Sequence, residues 1–124
     1  MKIVIEQEIS EEAIDNVLCC ALDPGCGGAY YWCSARRDPK NPARHVEYLH
    51  EVPMAGGTIL ITDVEDDNKV YKLNLAAIKR GLKAMAKDEA VGMGALANII
   101  KDETDADDGD ALIQFSVLGG SIYG

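Results

Sequence analysis

Residues 21–34 read Ala21-Leu22-Asp23-Pro24-Gly25-Cys26-Gly27-Gly28-Ala29-Tyr30-Tyr31-Trp32-Cys33-Ser34, and three structural signals meet in them. Asp23-Pro24-Gly25 stops a helix, because proline lacks an amide donor and glycine permits a turn. Gly27-Gly28 allows positive φ or a close backbone approach. Tyr30-Tyr31-Trp32 is an aromatic triplet of high strand propensity. These residues therefore predict a corner at which a helix ends and a strand over residues 29–35 begins.

The segment before this corner has the pattern of an amphipathic helix. Its apolar residues recur at intervals of three and four from Ile14 to Leu22. Ser10 is a good N-cap residue, and the acidic residues that follow it suit the positive end of a helix dipole. We therefore predict a helix over residues 11–22. Two further helices are predicted, one with Asn74 as its N-cap that runs to about Lys87 and one over residues 110–118. A mixed loop with a short helix is predicted at residues 89–100.

Strand patterns occur at several other places. Residues 58–63 form the clearest one, and an acidic turn at 64–69 joins them to a partner strand at 70–73, which predicts an antiparallel hairpin. Further strands or extended segments are predicted at residues 2–8, 45–52 and 121–123. The sequence thus predicts an α+β fold, with an antiparallel sheet of about four to five strands and about three helices.

Length and composition indicate an ordinary globular protein. The chain has 124 residues, of which 48% are hydrophobic and 27% charged, so we expect one domain over residues 1–124. No apolar run approaches the roughly 20 residues of a membrane helix, and the first residues become charged too early for a secretory signal. We expect a cytoplasmic protein with no membrane partner. A net charge of −9 also argues against direct binding of nucleic acid.

Reactive side chains form no catalytic or metal-binding motif. The four cysteines lie between residues 19 and 33 without C-x-x-C spacing, and we interpret them as small thiols in a reducing compartment. His45 and His50 are five residues apart, whereas H-E-x-x-H needs them four apart. The acidic run at 102–110 does not fit the ligand positions of an EF-hand. We therefore expect no metal, no cofactor, no catalytic residue and no enzymatic activity.

The predicted helix after Asn74 gathers positive charge in an otherwise acidic chain. Between residues 72 and 87 lie five of the twelve basic residues. A solvated helix face is one interpretation. The other is a phosphate-binding surface, to which Arg36, Arg37 and Arg44 would add donors if the loop after the predicted strand 29–35 folds towards the helix. The candidate phosphate ligands are Lys79, Arg80, Lys83 and Arg36.

Two aromatic residues at the corner are candidates for contact with a base. Flat rings stack on nucleobases, so Tyr31 or Trp32 could hold the base of a nucleotide whose phosphates meet the basic residues. The alternative is that Trp32 faces the core, as aromatic residues in strands usually do, while Tyr31 faces outward. The sequence leaves both interpretations open.

Three motifs together resemble a widespread family of small phage and prophage proteins. They are the helix end with Gly27-Gly28-Ala29-Tyr30-Tyr31-Trp32-Cys33, the middle Gly56-Gly57-Thr58-Ile59-Leu60-Ile61-Thr62-Asp63, and the terminal Asp110-Ala111-Leu112-Ile113-Gln114-Phe115 with Tyr123-Gly124. Within that group the chain is most similar to the anti-Thoeris sponges. The resemblance implies a homodimer or higher homo-oligomer that sequesters a cyclic nucleotide immune signal of the cyclic ADP-ribose type without cleaving it, inside a bacterial host cell.

A second interpretation comes from a different class of protein. The carboxylates at residues 65–67 and 102–110 could stand in for the phosphates of nucleic acid. The chain would then be an acidic inhibitor of a DNA-binding enzyme, of the anti-CRISPR or anti-restriction type. A structural or assembly protein of a phage is a third interpretation.

Overall fold

The computed structural model describes residues 1–124 and contains four α-helices beside one antiparallel sheet of three strands, in the order β1-β2-β3. The elements in chain order are α1 (Glu11–Leu22), β1 (Cys33–Arg37), a 3₁₀ turn (Leu49–Glu51), β2 (Ile59–Asp63), β3 (Lys69–Leu73), α2 (Leu75–Met85), α3 (Gly92–Lys101) and α4 (Ala106–Val117). The predicted α+β class and antiparallel sheet are confirmed. The predicted counts are not, because the chain has one more helix and fewer strands.

Side chains cap three of the helices at their N-termini. The Ser10 hydroxyl accepts the amide of Ala13 at 3.1 Å, and Asn74 Oδ1 accepts the amide of Ala77 at 2.9 Å. Both predicted caps are thereby confirmed. The last helix begins four residues earlier than predicted, because Asp105 and Asp108 form a reciprocal capping box across its first turn.

The third helix was predicted only as a mixed segment, because two glycines lower helix propensity there. Asp88 Oδ1 accepts the amides of Val91 at 2.8 Å and Gly92 at 3.1 Å, which secures the start of α3. Gly92 is also required by packing, since a Cβ at this position would lie 2.7 Å from the Cα of Met85. The glycine therefore marks a close contact between α2 and α3.

Three predicted strands are absent. Residues 2–8 and 121–123 belong to no strand, and the segment 45–52 contains the 3₁₀ turn Leu49–Glu51. The first segment has the β-branched residues of a strand but finds no partner strand within the chain. The terminal segment is held by a side chain of α4 instead of by a ladder, as described below.

Helix α4 lies at the centre of the core, packed against α1, α2 and α3. Gly109 permits the approach to α1, because a Cβ there would lie 2.6 Å from the amide nitrogen of Ala21. Fully buried side chains from both layers fill the interior, among them Trp32, Leu18, Ile59, Ile61 and Leu112. No helix has the length and apolar character needed to cross a membrane.

The sheet has one buried side and one exposed side. On the buried side, Ile59, Ile61 and Leu73 pack into the core. On the other side the register places Arg36, Leu60 and Lys72 in one row across all three strands. Both cations in this row are exposed and Leu60 is half-buried. The sheet therefore presents two positive charges on its open face, separated by one apolar side chain.

Candidate functional site

Five basic side chains gather around the loop that leaves β1, and we call this region the basic cleft. It consists of Arg36, Arg37, Lys40, Arg44 and Lys72. They account for five of the twelve Lys and Arg residues in the chain. The cleft therefore concentrates positive charge in a molecule whose net charge is −9.

Two adjoining cavities make up the cleft. The larger, of about 350 Å³, is lined by Arg36, Lys40 and Lys72 together with Leu60. The smaller, of about 250 Å³, is lined by Arg37, Arg44 and His45 among others. The two cavities share the loop residues Asp38, Pro39 and Asn41. Their combined size is in the range of small-ligand sites, which is about 300–1,000 Å³.

A buried carboxylate fixes the loop between the two cavities. Asp38 is only 6% exposed, and its oxygens accept the amide of Lys40 at 2.9 Å and the side-chain amide of Asn41 at 3.0 Å. Its own amide donates to the carbonyl of Thr58 at 3.0 Å. The hydrogen bond from Asn41 lowers the pKa of Asp38, with the amide of Lys40 and the charges of Lys72 and Lys40 contributing. It is the single carboxylate that lines either cavity.

Arg37 and Arg36 differ in how their side chains are hydrogen-bonded within the chain. Arg37 Nη2 donates to the carbonyls of Val46 at 3.0 Å and Glu47 at 3.1 Å, so its guanidinium ties down the neighbouring segment. The Arg36 side chain makes one hydrogen bond within the chain, from Nη1 to Thr62 Oγ1 at 3.1 Å. Most of its five donors therefore stay available to a phosphate.

The other predicted phosphate ligands lie elsewhere. Lys79, Arg80 and Lys83 are exposed on the side of α2 opposite its buried residues Ala77, Ile78, Gly81 and Met85. None of them lines any of the four cavities. No cavity thus brings Arg36 together with these three residues, and they lie on an exposed helix face.

The predicted base contacts belong to a second cluster, which we call the aromatic cluster: Tyr31, Trp32, Asp110, Gln114 and Tyr123. Trp32 is fully buried, stacks on Tyr123 with ring centroids 5.4 Å apart, and donates from Nε1 to Asp110 Oδ1 at 2.7 Å. Tyr31 is half-exposed, and its hydroxyl donates to Asp110 Oδ2 at 2.5 Å. Trp32 is therefore a core residue, and its ring cannot contact a ligand at the surface. The prediction that it holds a base is wrong.

Gln114 joins the aromatic cluster to the end of the chain. Its Oε1 accepts the amides of Ile122 at 2.7 Å and Tyr123 at 2.9 Å, while Nε2 lies 3.0 Å from both Asp110 Oδ1 and the carbonyl of Tyr123. Gln114 is 1% exposed, so these bonds replace all contact with water. The side chain thereby holds the terminal segment against the core.

Burial and hydrogen bonds to carboxylates raise the pKa values of Tyr31 and Tyr123. The bond from Tyr123 to Asp63 Oδ2, at 2.9 Å, is the main cause that raises the pKa of Tyr123 to about 12. Burial raises the pKa of Tyr31, and its bond to Asp110 raises that pKa further. Both hydroxyls are thus held as neutral donors, which suits a structural role.

The four cysteines are free thiols, and the environments of Cys19 and Cys33 disfavour the thiolate. Burial raises the pKa of Cys33 to about 12, and the charges of Asp110 and Asp63 contribute. Burial also raises the pKa of Cys19. A nucleophilic thiol needs a lowered pKa, so neither residue has the setting of a catalytic cysteine. No group of three or more His, Cys, Asp or Glu side chains is placed to hold a metal ion.

The chain matches no protein-family model, no curated protein and no solved structure. The resemblance to small phage proteins therefore stays a prediction based on the sequence motifs. The geometry of the basic cleft is the independent structural ground for assigning a function.

Proposed function

We propose that the protein binds a small phosphate-bearing nucleotide in the basic cleft and holds it without cleaving it. One observation carries the proposal: Arg36, Lys40 and Lys72 surround a cavity of about 350 Å³ in a chain of net charge −9. Local positive charge in a concave site favours a compact anion, while the negative charge elsewhere disfavours a long polyanion.

The row across the sheet supplies the binding groups. The planar guanidinium of Arg36 can donate hydrogen bonds to two phosphate oxygens. Lys72, which lies beyond Leu60 in the same row, supplies an ammonium group. Leu60 and Pro39 give apolar surface for a ribose or base. Lys40 projects from the loop that Asp38 fixes. The α2 residues Lys79, Arg80 and Lys83 form the alternative phosphate-binding surface for the same function.

On the basis of the resemblance to anti-Thoeris sponges, we propose that the ligand is a cyclic nucleotide of the cyclic ADP-ribose type. Sequestration would then silence a bacterial defence effector during phage infection. In this role the protein is not an enzyme and acts in the host cytoplasm as a homodimer or higher oligomer. Tight binding to a preformed cleft is the entire mechanism.

Native mass spectrometry with a panel of cyclic nucleotides tests this proposal. We expect one panel member to shift the protein mass by its own mass, and heat denaturation to return that nucleotide intact. Conversion of the nucleotide to products in proportion to the protein would contradict sequestration. Binding of no panel member, with a control sponge active in the same assay, would contradict the ligand class.

A second function is supported by the position of the acidic segments. Asp110 accepts the hydroxyl of Tyr31, and the charge of Asp107 helps to raise the pKa of that tyrosine. Asp63 accepts the hydroxyl of Tyr123, and the charges of Asp66 and Glu65 help to raise the pKa of Tyr123. Both acidic segments thus lie beside the aromatic cluster. These carboxylates could imitate DNA toward a nuclease, as an anti-CRISPR or anti-restriction inhibitor does.

Charge reversal separates the two functions. Asp66→Lys with Asp107→Lys should abolish nuclease inhibition if the acidic surface is functional, and should leave nucleotide binding in the basic cleft unchanged. Inhibition that survives this double substitution would exclude the acidic surface as the inhibitory site.

A further inference from the structure

The first nine residues leave their backbone unpaired. No amide or carbonyl of residues 1–9 takes part in a backbone hydrogen bond within the chain. Ile3, Val4 and Ile5 are 69%, 84% and 81% exposed, respectively. Three consecutive β-branched residues form a strongly strand-prone segment, yet it finds no partner strand within the chain.

The sequence of this segment is complementary to itself. When two copies of Lys2-Ile3-Val4-Ile5-Glu6 are aligned antiparallel about Val4, each Lys2 lies opposite a Glu6. Each Ile3 then lies opposite an Ile5, and the two Val4 residues face each other. Opposite charges and paired β-branched residues are both favourable across antiparallel strands.

We propose that two copies of the chain associate through an antiparallel ribbon of residues 2–6, with Val4 on the two-fold axis. The arrangement is isologous, so it closes as a dimer and does not propagate into a filament. Side chains alternate along a strand, which places the four isoleucines of the pair on one face and both ion pairs on the other. The partner is therefore a second copy of this chain.

The competing arrangement would add the segment to an exposed edge strand. The outer edges of β1 and β3 carry Arg36, Arg37, Lys69 and Lys72. Glu6 would be attracted to the basic residues of either edge, but Lys2 would be repelled by them. Lys2 thus contributes favourably only to self-pairing, and its reversal distinguishes the two arrangements.

A two-stranded ribbon is only marginally stable in water, so we expect a reversible dimer whose population rises with concentration. Sedimentation velocity over a concentration series measures it. Lys2→Glu alone and Glu6→Lys alone should each weaken self-association at least about tenfold, because both ion pairs become repulsive. An equimolar mixture of the two variants should restore the dimer, since each charge then meets its opposite.

The matched control is Lys101→Glu, which makes the same charge change at an exposed position of α3 and should leave the dimer intact. Residues 1–9 make no backbone hydrogen bond with the core, so the Lys2 and Glu6 variants should keep the wild-type melting temperature. Wild type that stays monomeric at every concentration would overturn the proposal. So would a Lys2→Glu variant that dimerises as well as wild type, or a mixture that fails to recover association.

Discussion

The two ends of strand β1 differ in what their polar groups do. Trp32, just before the strand, is fully buried and donates to Asp110 at 2.7 Å. Arg36, near its other end, is exposed beside a cavity of about 350 Å³, and its side chain makes one hydrogen bond within the chain. The aromatic cluster is thus saturated internally, whereas the basic cleft keeps donors free.

We therefore expect Trp32 to contribute to stability and Arg36, four residues later, to contribute to ligand binding. A buried polar network stabilises the fold only while each member has its partner, so its loss affects folding first. Exposed cations around a concavity contribute little to stability but can contribute strongly to anion binding. Substitutions in the two regions should therefore have opposite profiles.

Trp32→Ala should give the largest change. Removing a fully buried indole leaves a cavity and takes away one of the three side-chain donors to Asp110, the other two being Tyr31 and Gln114. We expect a loss of about 3–5 kcal/mol in the free energy of unfolding. Urea denaturation followed by circular dichroism measures it. Trp32→Phe is the control, since it keeps the ring but loses the donor. Unchanged stability with lost nucleotide binding would instead make Trp32 a ligand contact.

Gln114→Leu should rank second. It leaves the amides of Ile122 and Tyr123 without their acceptor, and we expect a loss of about 2–3 kcal/mol in the free energy of unfolding. Hydrogen exchange at these two amides should accelerate. Ser116→Ala on the same helix is the control, because the buried Ser116 hydroxyl has no hydrogen-bond partner and its removal should be neutral or stabilising. Equal effects of the two substitutions would contradict the structural role of Gln114.

The corner at residues 21–34 and the elements around it show which features can be predicted from local sequence signals. Helix α1 was predicted with its observed bounds, because its cap and its apolar periodicity are local signals. The β2–β3 hairpin was predicted for the same reason. Trp32 was ambiguous, because the choice between core and ligand contact depends on Asp110, which lies 78 residues away in sequence.

The basic cleft was only partly predictable. Arg36 was identified as a phosphate ligand from the sequence. Lys72 lies in the same row as Arg36 only because of the register of the three strands, which cannot be predicted from the sequence. The α2 cations were the stronger pattern in the sequence, because helical spacing groups them locally. In the structure they lie on the exposed side of α2 and line none of the four cavities. Gln114 and Asp110 carried no local signal of their role.

Tyr123→Phe should give the smallest change and a distinctive pH dependence. The pKa of Tyr123 is raised from 10.0 to about 12, so the hydrogen bond to Asp63 stabilises the fold fully below pH 10 and is lost as pH rises to about 12. The stability difference between wild type and Tyr123→Phe should therefore be constant at neutral pH and shrink between pH 10 and 12. A difference that persists above pH 12 would contradict this assignment.

Isothermal titration calorimetry on two double variants tests whether the basic cleft is the nucleotide-binding site. Arg36→Ala with Lys72→Ala removes two cations from the basic cleft, and Lys79→Ala with Lys83→Ala removes two from the exposed face of α2. With the cyclic nucleotide that wild type retains, we expect the first pair to lose affinity at least about tenfold and the second to stay within about twofold of wild type. Loss of affinity in the α2 variant, with the cleft variant unaffected, would show that the phosphates bind to α2 and not to the cleft.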